Sequence, residues 1–331
     1  MSDKRLQQLK GWLDQTLDAS EYEIKPASAD ASFRRYFRVF AGGDSFIVMD
    51  APPDKEDVRP FVRIAERWLS IGLNVPEVFY QDMEQGFLLM TDLGTRSYLD
   101  ELNESTVDRL YGDAMGALVV LQVGTYREAD FLPDYSESLL IDEMALFRDW
   151  YLAKHLGCNL DSTQSAVLEQ TFVYLRDQAR AQPRVWVHRD YHSRNLMVYP
   201  KHNPGIIDFQ DAVLGPVTYD LVSLLRDCYI SWPRGQVEDW VKGYHQLALE
   251  SGIPVCEDED EFLRWFDLMG VQRHLKAIGI FSRLNYRDGK PGYLDDIPRT
   301  LGYVLEVSQR HQALTPFYDL LMGLSLPEAV S

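Results

Sequence analysis

One stretch constrains this chain more than any other. Val185-Trp186-Val187 leads into His188-Arg189-Asp190-Tyr191-His192-Ser193-Arg194-Asn195, then Leu196 to Tyr199, a turn at Lys201 to Pro204, and Gly205-Ile206-Ile207-Asp208. Short apolar runs bounded by Asn, Pro and Gly read as strands, so the pattern is an island of strand whose polar residues gather at its edges. Asp and Asn are common turn residues, and singly each reads as no more than that. Their joint spacing, with apolar strand residues on both sides, points to chemistry instead.

The surroundings of this island change character once along the chain. Leu6, Leu9, Leu13 and Leu17 have helical spacing, and Tyr36 to Phe40 and Phe46 to Met49 are strand-like runs around Ala41-Gly42-Gly43-Asp44, the pattern of a hairpin. Phe61, Ala65, Trp68 and Leu69 share a helix face, and Val78 to Tyr80 and Gly86 to Met90 suggest two more strands. From Ser105 onward helical stripes dominate: Val107, Leu110, Ala114, Leu118 and Leu121 form one, and Leu139, Met144, Phe147 and Tyr151 another. The expectation is an α+β chain with a β-rich lobe over 1–93 and a larger α-helical lobe over 94–331, joined at Thr91-Asp92-Leu93-Gly94.

A chain of 331 residues, 46% hydrophobic and 25% charged, can fill two cores, which excludes disorder and fibre. The net charge of −18 argues against nucleic acid or an anionic membrane as partner. Cys158, Cys228 and Cys256 lie far apart, giving neither a disulfide framework nor a cysteine zinc site. With no apolar run near membrane-spanning length, the expected protein is cytoplasmic, unexported and monomeric.

Phosphoryl transfer needs a carboxylate at the acceptor hydroxyl and oxygen ligands for Mg²⁺ on the phosphates. In the pattern His-Arg-Asp-x4-Asn followed by Asp-Phe, the first Asp takes the hydroxyl proton while Asn and the second Asp hold metal. Asp190 is thus the candidate catalytic residue, with Asn195 and Asp208 as candidate metal ligands.

The loop anchored by His188, Asp190 and Asn195, with Ile207-Asp208 and Gly215-Pro216-Val217-Thr218-Tyr219-Asp220-Leu221, resembles the aminoglycoside phosphotransferase and choline kinase family. That resemblance implies a protein-kinase-like two-lobed fold, with 1–93 binding ATP and 94–331 carrying catalysis and the acceptor. It also implies that Asp220 holds the backbone of the catalytic loop beside His188. Ser32-Phe33-Arg34-Arg35-Tyr36-Phe37-Arg38, Val48-Met49-Asp50-Ala51-Pro52-Pro53 and the run Arg273 to Leu284 resemble more narrowly the anomeric kinases of N-acetylmuramate and N-acetylglucosamine in bacterial peptidoglycan recycling. The narrower resemblance implies transfer to a sugar C1 hydroxyl.

Two departures stand out. No lysine occupies Ile47-Val48-Met49-Asp50, where such kinases carry one, although Glu66 falls where its partner is expected; a solvated helix residue is an equal reading for Glu66. A glycine-rich phosphate loop is also missing, and Ser32-Phe33-Arg34-Arg35 stands in its place. Alternation sets Arg35 on the opposite strand face from Tyr36 and Arg38, and Arg35 is favoured over Arg38 as a phosphate contact. By the family resemblance the nucleotide base meets Met90, Thr91 and Leu93, and the hinge of lobe closure lies at 91–94. Candidates for the amino sugar are His192, Gln210, Asp211, Arg226, Arg283 and Tyr293, the last on an expected loop from Tyr286 to Tyr293.

Two alternatives remain at this level. One keeps the chemistry but takes an aminoglycoside, choline or other amino alcohol, for which Asp258, Glu259, Asp260 and Glu261 offer acidic groups; such a run also suits a helix N-terminus. The other is a nucleotide-binding pseudokinase regulator, suggested by the missing lysine and glycine loop and opposed by the intact Asp190, Asn195 and Asp208.

Overall fold

The computed structural model describes residues 3–17, 21–29, 33–124 and 128–324. Backbone contacts divide the chain into two compact units, Met1–Glu101 with Asn195–Asp211, and Leu102–Arg194 with Ala212–Ser331.

The first unit is built on an antiparallel sheet of β1 (Tyr22–Ala29), β2 (Arg35–Ala41), β3 (Asp44–Asp50), β4 (Val78–Asp82) and β5 (Phe87–Thr91), ordered β1-β2-β3-β5-β4. β2 and β3 pair from Arg35↔Asp50 to Ala41↔Asp44 around Gly42 and Gly43, whose φ of 62° and 92° suit the tight turn that the sequence predicts. β1 is absent from the sequence reading because it has no apolar run and contains Pro26; it lies on the sheet edge, where proline is tolerated. The helix Lys4–Thr16 lays Leu9 and Leu13 on Phe37, Val39, Val48, Phe87 and Leu89.

The helix Arg59–Ser70 buries Phe61, Val62, Ile64, Ala65 and Trp68. Phe61 and Trp68 meet the ring of Phe209 at 4.7 and 5.3 Å, which ties the segment after Asn195 into this unit. The strands Leu196–Met197 and Gly205–Ile206 pair there as a short hairpin. At the expected linker, Asp92 receives the Arg38 fork at 2.6 and 3.0 Å and the Gly94 N–H at 2.9 Å. Burial opposes the charged form of Asp92, but these donors hold its carboxyl below the ordinary range.

The second unit is helical, and the 30-residue helix Glu259–Asp288 is buried along most of its length. Its Val271, Leu275 and Ile278 share a core with Met144, Phe147, Phe172, Leu301, Val304 and Phe317. The stripe predicted over Leu139 to Tyr151 is a helix Glu137–Leu146 that continues with π-helical pairing through Phe147–His155. Gly279 lies against that junction, where an added Cβ would stand 2.4 Å from the Leu146 carbonyl carbon. The acidic run is a helix start: Asp258 caps it, accepting the N–H groups of Asp260 and Glu261 at 2.9 and 3.1 Å. The expected loop at Tyr286 to Tyr293 is a correction, since the helix runs on to Asp288, Gly289 ends it at φ 66°, and a 3₁₀ turn covers Pro291–Asp296. Among the described residues no helix is long and apolar enough to cross a membrane.

Candidate active site

In the second unit the strand Arg184–Val187 delivers His188 into a loop held chiefly by carboxylates. Asp220, on the first turn of the helix Tyr219–Leu225, accepts the N–H of His188 at 2.6 Å and of Arg189 at 3.0 Å. Asp227 accepts the Ser193 N–H at 2.9 Å, and the Tyr191 hydroxyl donates to the Ala114 carbonyl at 2.9 Å. Arg189 takes φ 77°, a conformation rare outside glycine.

Asp190 keeps part of its surface exposed. Burial raises its carboxyl pKa, yet Lys276, His192, Arg273 and Arg189 outweigh burial and hold it well below the ordinary carboxylate range. Lys276 Nζ lies 3.1 Å from the Tyr219 hydroxyl and 3.3 Å from Glu143, which also pairs with Arg189. The Arg273 guanidinium is 5% exposed and donates to Cys228 Sγ at 3.7 Å, with no carboxylate within ion-pair distance among the described residues. Lys276 and Arg189 therefore share one buried glutamate while Arg273 pairs with none, and the excess positive charge keeps Asp190 ionised.

Aromatic rings run outward from the same loop. His192 meets Tyr229 at 5.2 Å, Tyr229 meets Phe281 at 6.2 Å and Phe281 stacks on Tyr293 at 5.7 Å, while the Arg194 guanidinium lies 3.6 Å over Tyr229. Burial pulls the His192 imidazole down to about 4, so the ring is neutral at pH 7. Arg283 is half-buried, and its Nε has no hydrogen-bond partner among the described residues. Arg226 instead turns to Glu306, with both oxygens at 3.1 Å.

In the first unit Asn195 Nδ2 donates to Asp208 Oδ2 at 3.3 Å, and Gln210 Nε2 donates to Asp208 Oδ1 at 2.8 Å. Gln210 thus supports Asp208, and Asp211 is exposed on the same segment. Among the described residues no three His, Cys, Asp or Glu side chains converge as a metal cage. A carboxylate beside a carboxamide side chain fits Mg²⁺, which takes few protein ligands and fills its shell with water and phosphate oxygens.

The expected nucleotide residues are divided. Ser32 lies outside the described residues. Arg35 is bound to Asp50 and Asp3, on the sheet face that carries the helix Lys4–Thr16. Met90 and Leu93 are buried, and Thr91 Oγ1 accepts the Glu77 N–H at 3.2 Å. Glu66 is exposed. Arg34 pairs with Glu56 at 3.0 Å, both side chains being largely covered. Glu56 and Tyr229 escaped the sequence reading, and Arg34, Arg194 and Lys276 entered it only as members of motif segments, with no role of their own; Arg273 and Lys276 had one further signal, as basic residues inside an apolar helical run.

The phosphotransferase enzyme family model matches residues 23–263, most of the chain. This chain belongs to that family. Within it, the N-acetylmuramate/N-acetylglucosamine kinase of Pseudomonas putida is 47% identical over 97% of both chains. The kinase of the same name from Neisseria meningitidis is 45% identical over 96% of this chain and 95% of its own. The phosphotransferase fold is shared with the choline kinase of Streptococcus pneumoniae, at a TM-score of 0.61 with 11% identity over 91% and 99% of the two chains.

Proposed function

We propose that this phosphotransferase transfers the γ-phosphate of ATP to the anomeric C1 hydroxyl of N-acetylmuramate and N-acetylglucosamine, serving peptidoglycan recycling as a cytoplasmic monomer. The observation that carries the reading is identity of 45–47% across nearly the whole length of relatives named for those two sugars. The Asp190, Asn195 and Asp208 set supplies the chemistry the reading requires.

Asp190 accepts a hydrogen bond from the C1 hydroxyl and aims its oxygen at phosphorus. Because neighbouring cations keep Asp190 ionised, it is a weak base, and the proton moves late, as the new P–O bond forms and the bond to the β-phosphate oxygen breaks. The proton passes to Asp190 and then to solvent, leaving sugar 1-phosphate and ADP. Asn195 and Asp208 would hold Mg²⁺, which neutralises phosphate charge when bound. Tyr229 and Tyr293, both half-buried, offer apolar faces to a sugar ring. Arg194 and Arg283 offer cations to the carboxylate that N-acetylmuramate carries and N-acetylglucosamine lacks.

The test is phosphorus NMR of the purified protein with Mg-ATP and, separately, each sugar, kanamycin and choline. An anomeric sugar phosphate formed by the wild type and lost in Asp190→Asn is expected. Transfer to kanamycin or choline alone would overturn the acceptor, and nucleotide binding without transfer to anything would overturn the activity.

A further inference from the structure

We infer that Arg273 donates to the 2-acetamido carbonyl of the acceptor sugar while Asp190 receives its C1 hydroxyl. The inference rests on the acceptor proposed above and concerns residues of the second unit alone.

A buried charge is costly unless a partner meets it. Among the described residues three basic side chains are buried: Arg226, Arg273 and Lys276. Arg226 has Glu306 at 3.1 Å and Lys276 has Glu143 at 3.3 Å. Arg273 has no carboxylate within ion-pair distance among those residues. Its Nη1 donates to Cys228 Sγ at 3.7 Å, and its Nε is buried with no hydrogen-bond partner. A thiol is a weak acceptor, so packing holds this guanidinium in the interior at a cost to the fold.

The place of that unmet charge points to its use. Arg273 is close enough to Asp190 to help hold its carboxyl down, and close enough to His192 to oppose protonation of the imidazole. His192 Nδ1 is likewise buried without a partner, and so is Ser193 Oγ, next to it in the chain. Protein interiors leave few polar atoms unmet. Here three such atoms lie on or beside the loop that carries Asp190, an arrangement suited to the oxygen atoms of a ligand.

The chemistry of the acceptor selects the oxygen. In both N-acetylmuramate and N-acetylglucosamine the ring carbon next to C1 carries the acetamido group, whose carbonyl accepts hydrogen bonds. The carboxylate of N-acetylmuramate hangs from the C3 oxygen, one carbon further round the ring. Of the cations that act on Asp190, Lys276 and Arg189 are bound to Glu143, which leaves Arg273 as the arginine without a carboxylate. A carboxylate on Arg273 would cancel part of the field that keeps Asp190 ionised, whereas a neutral carbonyl leaves that field in place.

The test is steady-state kinetics of wild type, Arg273→Met and Arg273→Lys at pH 8 with Mg-ATP and, separately, N-acetylmuramate, N-acetylglucosamine and glucose, alongside urea unfolding of the three proteins. Arg273→Met is expected to raise the KM of both N-acetyl sugars by a similar factor, about tenfold or more, the scale of one lost hydrogen bond to a charged group. The KM of Mg-ATP and the rate with glucose, which lacks the acetamido group, are expected to stay as in wild type. Because the lost charge had no carboxylate partner, the urea midpoint is expected to equal or exceed that of wild type. Arg273→Lys keeps the charge without the planar fork, is expected to fall between the two, and decides the matter alone if Arg273→Met does not fold. A higher KM for N-acetylmuramate only would put Arg273 on the carboxylate and overturn the inference, as would an equal loss with glucose. A fall in kcat at unchanged sugar KM would show a field acting through Asp190, and a lower urea midpoint at unchanged sugar KM would show a charge that serves the fold; either would overturn it while the kinase reading stands. Wild type that phosphorylates neither N-acetyl sugar would overturn the acceptor reading and this inference with it.

Discussion

Asp220 Oδ2 accepts the backbone N–H of His188 at 2.6 Å, and its other oxygen accepts that of Arg189 at 3.0 Å. One buried carboxylate therefore fixes the two residues before Asp190, including Arg189 at φ 77°, a conformation that costs on the order of 1–3 kcal/mol. Asp220→Ala leaves two buried N–H groups unmet, for which about 2–5 kcal/mol of stability is expected to be lost. Turnover is expected to fall by about 100-fold because Asp190 is no longer aimed. Urea unfolding and initial rates check both, and a variant as stable and active as wild type would refute the assignment.

Lys276 heads the cations that hold the Asp190 carboxyl down. In Lys276→Met the carboxyl pKa rises, so the acid limb of kcat/KM is expected to move up by about one pH unit. A pH–rate profile measures this directly. An acid limb that does not move would show that Lys276 acts only in packing.

Gly279 admits no side chain, since a Cβ there would meet the Leu146 carbonyl carbon at 2.4 Å and the Phe147 nitrogen at 2.6 Å. Backbone cannot step aside as a flexible side chain can. Gly279→Ala is expected to cost about 3 kcal/mol, read as a lower urea midpoint at unchanged slope. A variant within experimental error of wild type would contradict the close crossing.

His274 is buried, its Nε2 donates to the Arg226 carbonyl at 2.9 Å, and burial with nearby Arg273 pulls its pKa down to about 3. The folded state keeps it neutral while the unfolded chain takes up a proton near pH 6.5, so its contribution is present above that pH and lost as pH falls toward 3. Relative to His274→Gln, wild type is expected to lose about 1.4 kcal/mol per pH unit below about pH 6.5. Urea midpoints of both proteins from pH 7.5 to 4.5 give the difference; a gap that stays constant with pH would exclude this titration.

The β2–β3 hairpin, the helix Arg59–Ser70 and the Asp190–Asn195–Asp208 spacing were all legible in the chain, because each rests on local periodicity, turn chemistry or short separation. The strand β1 was not, because an edge strand with Pro26 and alternating exposure buries too little to leave a pattern. Arg226 illustrates the same limit at the site: a basic residue near the loop in sequence, it is drawn to Glu306, eighty positions away.

Local order along the chain determined the two kinds of architecture and the chemistry that the loop can perform. Tertiary structure alone decided which charges meet: Arg34 with Glu56, Arg35 with Asp50 and Asp3, and Lys276 with Glu143, Tyr219 and the field of Asp190. The reason is physical. Hydrophobic period and turn preference act over a few residues, whereas a buried charge is stabilised only by whatever partners packing brings within a few ångströms, and chain order does not encode that meeting.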